Sequence, residues 1–202
     1  MTDTTTTTGR QPGHDILPLL TERWSPRAFS DQPVSEEQVL TLLEAARWAP
    51  SGSNLQPWRF IYAIKGEPEF ETLLSLLVPF NEGWAKNAAA LMFVTSVTTF
   101  DGQRQNGTHS FDAGAAWMSL AIQAQSMGLV AHGMAGIEYD KAPLILNLPE
   151  NLKVNCAIAI GYRGDPEILP EGLRAREVPS GRQPLSAMAF KGKFEGEIAA
   201  PV

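Results

Sequence analysis

Ala49-Pro50-Ser51-Gly52-Ser53-Asn54-Leu55-Gln56-Pro57-Trp58 is the stretch on which the reading of this chain turns. It separates an amphipathic helical pattern ending near Trp48 from a strand-like run, Arg59-Phe60-Ile61-Tyr62-Ala63-Ile64. Two prolines bracket small polar residues, so helix and ladder are both interrupted and backbone N–H groups are freed. Ser51, Ser53 and Asn54 then offer hydroxyls and an amide from a short rigid loop. Such a loop suits a flat, heteroatom-rich ligand better than a metal. Taken alone, it reads first as a connecting turn beside a buried tryptophan.

Outward on the N-terminal side, Ser35-Glu36-Glu37-Gln38 is a capping box, with serine at N-cap and glutamine at N3. Val39, Leu40, Leu42, Leu43 and Ala46 follow at helical spacing, which predicts a helix to about Trp48. Before it comes Glu22-Arg23-Trp24-Ser25-Pro26-Arg27-Ala28-Phe29. If that segment is extended, Arg23, Ser25 and Arg27 point to one side. Two guanidiniums and a hydroxyl there make an anion grip, or else a solvated pair of arginines. A short helix is expected over His14 to Thr21, where Ile16, Leu17, Leu19 and Leu20 cluster.

Outward on the C-terminal side, a second helix is expected from Pro68, with Phe70, Leu73, Leu74 and Leu77 on one face and Pro79 ending it. Asn81-Glu82-Gly83-Trp84 reads as a turn, and Ala90 to Thr95 as a buried strand. Thr99 to Ser110 reads as a mobile, functional loop. Phe111 to Met127 is the longest helical pattern, closed by Gly128. Its alanines, Trp117 and Met118 are those of a central core helix or a subunit contact. His132 to Gly136 reads as a glycine-punctuated turn, Asp140 to Asn147 as a short helix, and Val154 to Tyr162 as a strand. From Asp165, prolines at 166, 170, 179 and 184 leave little periodicity, as in an extended arm.

The whole chain has 202 residues, 44% of them hydrophobic, enough for the core of one domain. The expected organisation is a disordered tail over 1–13, one domain over 14–190 that includes the arm, and a tail over 191–202. A net charge of −6 argues against nucleic acid and anionic membrane as partners. Cys156 is the only cysteine, so no internal disulfide can form, and its apolar surroundings suit a buried structural thiol. No apolar run approaches the roughly 18 residues of a membrane span. The threonine-rich start lacks the apolar core of a signal peptide, and a cytoplasmic protein is expected.

His14, His109 and His132 are scattered without metal-ligand spacing. There is no GxSxG elbow, and no GxGxxG or GxxxxGK[ST] follows a strand. Dispersed cationic, amide and hydroxyl groups remain, without a nucleophile. That set fits an enzyme whose chemistry belongs to a bound cofactor.

Taken in order, Arg23-Trp24-Ser25-Pro26-Arg27, Pro50 to Trp58, Asn81 to Trp84, the Asp112-Ala113-Gly114 helix ending at Gly128, Ala159 to Tyr162 and Gly181-Arg182 resemble the FMN-dependent nitroreductase family. The resemblance spans about residues 15 to 190 and rests chiefly on the first two motifs as a pair. It implies an α+β fold with a central, mostly antiparallel sheet flanked by helices. It also implies an intertwined homodimer with FMN at each end of the interface. By resemblance, Arg23 and Ser25, with Trp24 between them, and Arg182 hold the FMN phosphate, and Arg27 lies by the pyrimidine edge of the ring. Asn81 bonds the ring or ribityl chain, while Ala135 and Gly136 approach the ring with backbone groups. Pro50, Ser51, Gly52, Ser53 and Asn54 reach the flavin from the other subunit.

Two positions depart from the family pattern. Ala135 stands where an acidic residue is frequent, and Ser180 where a lysine is frequent. The implied activity is hydride transfer from NAD(P)H through FMN to nitroaromatic, quinone or similar acceptors in a ping-pong cycle. The competing readings are other chemistry on the same fold (enal reduction, dehalogenation, flavin breakdown) and a non-catalytic flavin carrier or sensor.

Overall fold

The computed structural model describes residues 10–196. The parts of the expected tails at 1–9 and 197–202 lie outside the described residues. The elements run α1 (Pro18–Glu22), α2 (Glu36–Arg47), β1 (Trp58–Ile64), α3 (Pro68–Leu74), α4 (Pro79–Ala85) and β2 (Ala90–Val97). They continue through β3 (Thr99–Phe100), β4 (Arg104–Gln105), α5 (His109–Ser126), β5 (Val130–Met134), α6 (Ala142–Ile145), β6 (Leu152–Gly161) and α7 (Glu171–Arg174). The main sheet has the order β1-β2-β6-β5, and every pair in it is antiparallel. This is the α+β architecture that the resemblance implies.

Strand β2 shows why the helices lie on both faces. Its side chains alternate, as the pleat requires. Leu91 and Phe93 join Phe70, Leu73 and Trp84 on one face. Ala90, Met92 and Val94 join Leu42, Ala116 and Leu120 on the other. A strand covered on both faces is largely apolar, and β2 is apolar from Ala90 to Val94; the buried Thr95 and Ser96 hydroxyls that follow are hydrogen-bonded. In β6, Val94 pairs with Cys156 and Thr95 with Val154, so Asn155 is an extra residue. That bulge lets Val154 and Ala157 face the same core despite their odd spacing. On the second face α2 lies across α5, whose buried alanines 113, 116, 121 and 124 allow close approach.

The capping box at Ser35 is present in both directions: its Oγ accepts from the Gln38 N–H at 3.2 Å, and the Gln38 Oε1 accepts from the Ser35 N–H at 3.0 Å. Gly128 closes α5 with φ of 72°, the left-handed stop that glycine makes without strain. Cys156 is partly buried, and burial pushes its thiol up to about 11, in keeping with a structural, unreactive residue.

Several local expectations are corrected. Pro79 begins a helix instead of ending one, and Asn81 to Trp84 is the body of α4, not a turn. Proline is favoured at N1 because the amide it lacks would be unpaired there anyway. The Thr99 to Ser110 stretch holds a β3–β4 hairpin and the first turn of α5. His132 to Met134 belongs to β5, not to a turn. A Cβ at Gly133 would stand 3.2 Å from the Trp117 ring, so this glycine serves helix–strand contact. The first helix is shorter than expected and starts at Pro18. The expected arm carries a helical turn at α7.

Candidate functional site

The Arg23–Phe29 segment is held by groups from far along the chain. Phe29 bridges Arg163 at the end of β6, the Ser30 N–H reaches the Tyr162 carbonyl, and the Gly164 N–H reaches the Ala28 carbonyl. A Cβ on Gly164 would collide with the Phe29 backbone, so glycine is required for this approach. From the arm, the buried Glu177 accepts from the Arg27 N–H at 2.6 Å and from the Ala28 N–H at 2.8 Å through Oε1.

Once held, the three polar side chains divide between two places. Arg23 donates to the Ser25 hydroxyl at 3.3 Å, and its Nε is buried without a partner. Burial lowers the Arg23 pKa most, and the charges of Arg182 and Arg10 lower it further. Among the described residues no carboxylate pairs with Arg10, Arg23 or Arg182. Three guanidiniums sharing a region without an anion is a cradle for one. Arg10 and Arg182 also line a cavity of about 610 Å³, walled by Ile16, Leu20, Leu185 and Met188. Trp24 is half-buried beneath the Arg163 guanidinium, 5.2 Å from its ring centroid.

Arg27 turns elsewhere. Its guanidinium stands 5.9 Å from the Trp84 ring centroid, and its Nε is buried and unpartnered. Burial lowers its pKa, Glu177 opposes that, and Arg176 adds to it. Trp84 stacks with Phe29 at 6.3 Å and meets the His132 ring at 4.7 Å. The His132 Nδ1 lies 2.9 Å from the Pro26 carbonyl, which can only accept, so Nδ1 carries the proton. Burial pushes the His132 pKa down and Arg27 adds to the effect, against the Pro26 carbonyl and Glu177.

Asn81, buried in α4, donates to the Gly136 carbonyl at 3.1 Å, and the Val78 N–H takes the same oxygen. A Cβ on Gly136 would strike the Asn81 amide and stand 2.8 Å from Val78 Cγ2, so this glycine is fitted to α4. Ala135 is exposed beside it.

The Pro50–Asn54 loop is largely exposed, with Ser51 half-buried. Its backbone is strained: Ser53, Asn54 and Gln56 have φ of 51°, 56° and 48°. Left-handed non-glycine residues cost roughly 1–3 kcal/mol each, and such strain clusters at functional sites. Most of the freed amides close the loop on itself. The Gln56 N–H reaches the Ser51 Oγ at 3.0 Å, and the Asn54 N–H reaches the Ser51 carbonyl. Gly52 donates to Asp112 of α5 at 3.3 Å. No hydrogen bond joins this loop to Arg23, Ser25, Arg27 or Arg182 among the described residues.

Sequence reasoning missed Arg10, Glu177, His132 and the role of Trp84. Arg10 lies within the expected tail, yet its guanidinium bonds the carbonyls of Thr21, Arg23 and Ser180. Glu177 and His132 carry no local signal, since their partners are 106 to 150 positions away. Among the described residues there is no cluster of metal-ligating side chains, and no helix is long and apolar enough to cross a membrane.

The chain matches the nitroreductase family over residues 20–74 and 64–162. An uncharacterised 15.4 kDa protein from Mycolicibacterium smegmatis is 34% identical over 145 residues, 67% of this chain and 97% of its own. A relative from Archaeoglobus fulgidus, provisionally named NADH dehydrogenase/NAD(P)H nitroreductase, is 27% identical over 75% of this chain and 87% of its own. A solved structure described as an oxidoreductase containing FMN is 48% identical, with a TM-score of 0.89 over 93% of this chain and 97% of that one. With matches covering most of its described length, the chain belongs to the nitroreductase family.

Proposed function

We propose that this chain is an FMN-dependent oxidoreductase that takes hydride from NAD(P)H and passes it to a nitroaromatic, quinone or similar small acceptor. The observation that carries this reading is the set of guanidiniums at Arg10, Arg23 and Arg182, beside the Ser25 hydroxyl and without a carboxylate. The buried, unpartnered Nε atoms of Arg23 and Arg27 fit a ligand with both an anionic end and acceptor atoms elsewhere. FMN has both. Family membership and the FMN-containing relative at 48% identity support the same cofactor.

Bound FMN supplies the two-electron exchange, with donor and acceptor visiting in turn by a ping-pong cycle. The protein's part is to bind and to bias. Arg23, Ser25 and Arg182 grip the phosphate, with Trp24 fixing the segment under Arg163. Arg27, kept cationic beside Glu177, favours the state in which negative charge has arrived on the ring. Neutral His132 supports the Arg27–Trp84 side without adding charge. Asn81 stands ready to bond the ring or ribityl chain, and Ala135 and Gly136 present backbone beside it. Residues 14–190, together with Arg10 just before them, form the FMN-binding domain.

The Pro50–Asn54 loop serves the flavin of a partner subunit in a homodimer. Its exposure and strain support this, as does the apolar surface around it: Trp48 is 75% exposed and Phe111 81%.

The test is the visible spectrum of the purified protein, followed by anaerobic addition of NADH or NADPH. A yellow protein that bleaches with a nicotinamide and recovers with a quinone or nitroaromatic is expected. A colourless protein that takes up no FMN overturns the cofactor. A yellow protein that neither nicotinamide reduces overturns the activity and leaves a flavin carrier.

A further inference from the structure

We propose that Arg10 is a positioning residue that closes the phosphate grip by clasping its two halves together. The inference rests on the FMN reading above. Arg23 and Ser25 come from the segment after α1, whereas Arg182 comes from the C-terminal arm; Glu177 joins arm and segment at Arg27 and Ala28, and the Arg23 end needs a tie of its own. The Arg10 guanidinium spans them. Its Nε donates to the Thr21 carbonyl at 3.1 Å and its Nη2 to the Arg23 carbonyl at 2.8 Å. Its Nη1 donates to the Ser180 carbonyl at 2.9 Å, across 170 positions. Thus one planar fork ties the carbonyl of a grip residue to the carbonyl two residues before Arg182.

The same contacts explain what the clasp does for charge. Arg182 itself is exposed and donates only to the Ser180 and Gly181 carbonyls. Glu177 fastens the arm five residues earlier, at Arg27 and Ala28, and Arg10 fastens it again at Ser180, two residues before Arg182. Arg10 also brings a third positive charge to Arg23 and Arg182, which repel one another until an anion arrives. A clasp that holds repelling cations in place pre-organises them for a dianion.

The test separates phosphate binding from general stability. Parent, Arg10→Gln and Arg10→Lys proteins are freed of flavin and titrated with FMN and with riboflavin, which lacks the phosphate. Arg10→Gln should raise the Kd for FMN about tenfold and leave that for riboflavin within about twofold. Arg10→Lys keeps the charge, but one nitrogen cannot span three carbonyls, so FMN affinity should fall there too. An equal loss for both ligands, or unfolding of both variants, makes Arg10 a fold residue and overturns the proposal. So does an unchanged FMN affinity in Arg10→Gln, or full affinity in Arg10→Lys, which would leave charge alone as the cause. A parent protein that binds neither flavin overturns the FMN reading itself.

Discussion

The Glu177 carboxylate and the Arg27 backbone N–H, 150 positions apart, meet at 2.6 Å, and the same Oε1 takes the Ala28 N–H at 2.8 Å. One buried side chain thus fastens the C-terminal arm to the segment that carries Arg23 and Arg27. In Glu177→Ala two amides lose their acceptor, one of them fully buried. Each unmet group costs about 1–3 kcal/mol, so a loss of about 2–4 kcal/mol is expected in urea unfolding. Glu177→Gln keeps an oxygen acceptor and should lose about half as much. An alanine variant as stable as the parent would remove Glu177 as the fastener.

The phosphate grip should show in affinity before it shows in rate. Arg23 and Arg182 come from distant parts of the chain, and burial, followed by the charges of Arg182 and Arg10, lowers the Arg23 pKa. Charge-assisted bonds are worth about 1.5–3 kcal/mol, so Arg182→Ala should weaken FMN roughly ten- to a hundredfold. Unchanged FMN affinity in both Arg23→Ala and Arg182→Ala would rule the assignment out.

Much of this was legible where the signal is local. The capping box at Ser35 and the apolar run of β2 each state their structure within ten residues. The errors came from residues whose meaning is set by a neighbour in space. Gly133 looks like a turn residue, but it sits in β5, where the Trp117 ring 3.2 Å from its Cβ position favours a glycine. Pro79 looks like a stop, but here it is the first residue of a helix. In the site, the Arg23–Ser25 pair was legible as a motif. That Arg27 lies apart from it, toward Trp84, was not legible from an extended segment, which puts all three side chains on one side; only the resemblance placed Arg27 apart from the phosphate.

Stability should depend on pH through His132. Burial lowers its folded pKa below the ordinary 6.5, chiefly by desolvation, so the unfolded chain binds the proton more readily. Stability from the neutral ring is therefore complete above pH 6.5 and is lost as pH falls from there through the folded value. His109, also lowered by burial, adds a slope of the same sign. Unfolding free energies between pH 5 and 8 should fall toward acid in the parent and fall less in His132→Asn. Identical slopes would place the dependence elsewhere.

The candidate site should be shared between two chains. Within one chain, the Pro50–Asn54 loop bonds to itself and to Asp112, not to Arg23, Ser25, Arg27 or Arg182. Yet Asn54 is held in the left-handed region, with φ of 56°, in an exposed loop flanked by exposed Trp48. If the loop serves a partner's flavin, a symmetric dimer holds two composite sites, each built from Arg27 of one copy and Asn54 of the other. Arg27→Ala and Asn54→Ala, prepared separately, should each be impaired. Unfolded and refolded as a mixture, they form some mixed dimers. In such a dimer one site collects both lesions and the other collects neither, so activity should return in proportion to the mixed species. If each site were built within one chain, every site would keep one lesion and nothing would return. Mixed dimers confirmed by a tag on one copy, without recovery of activity, would refute the shared site.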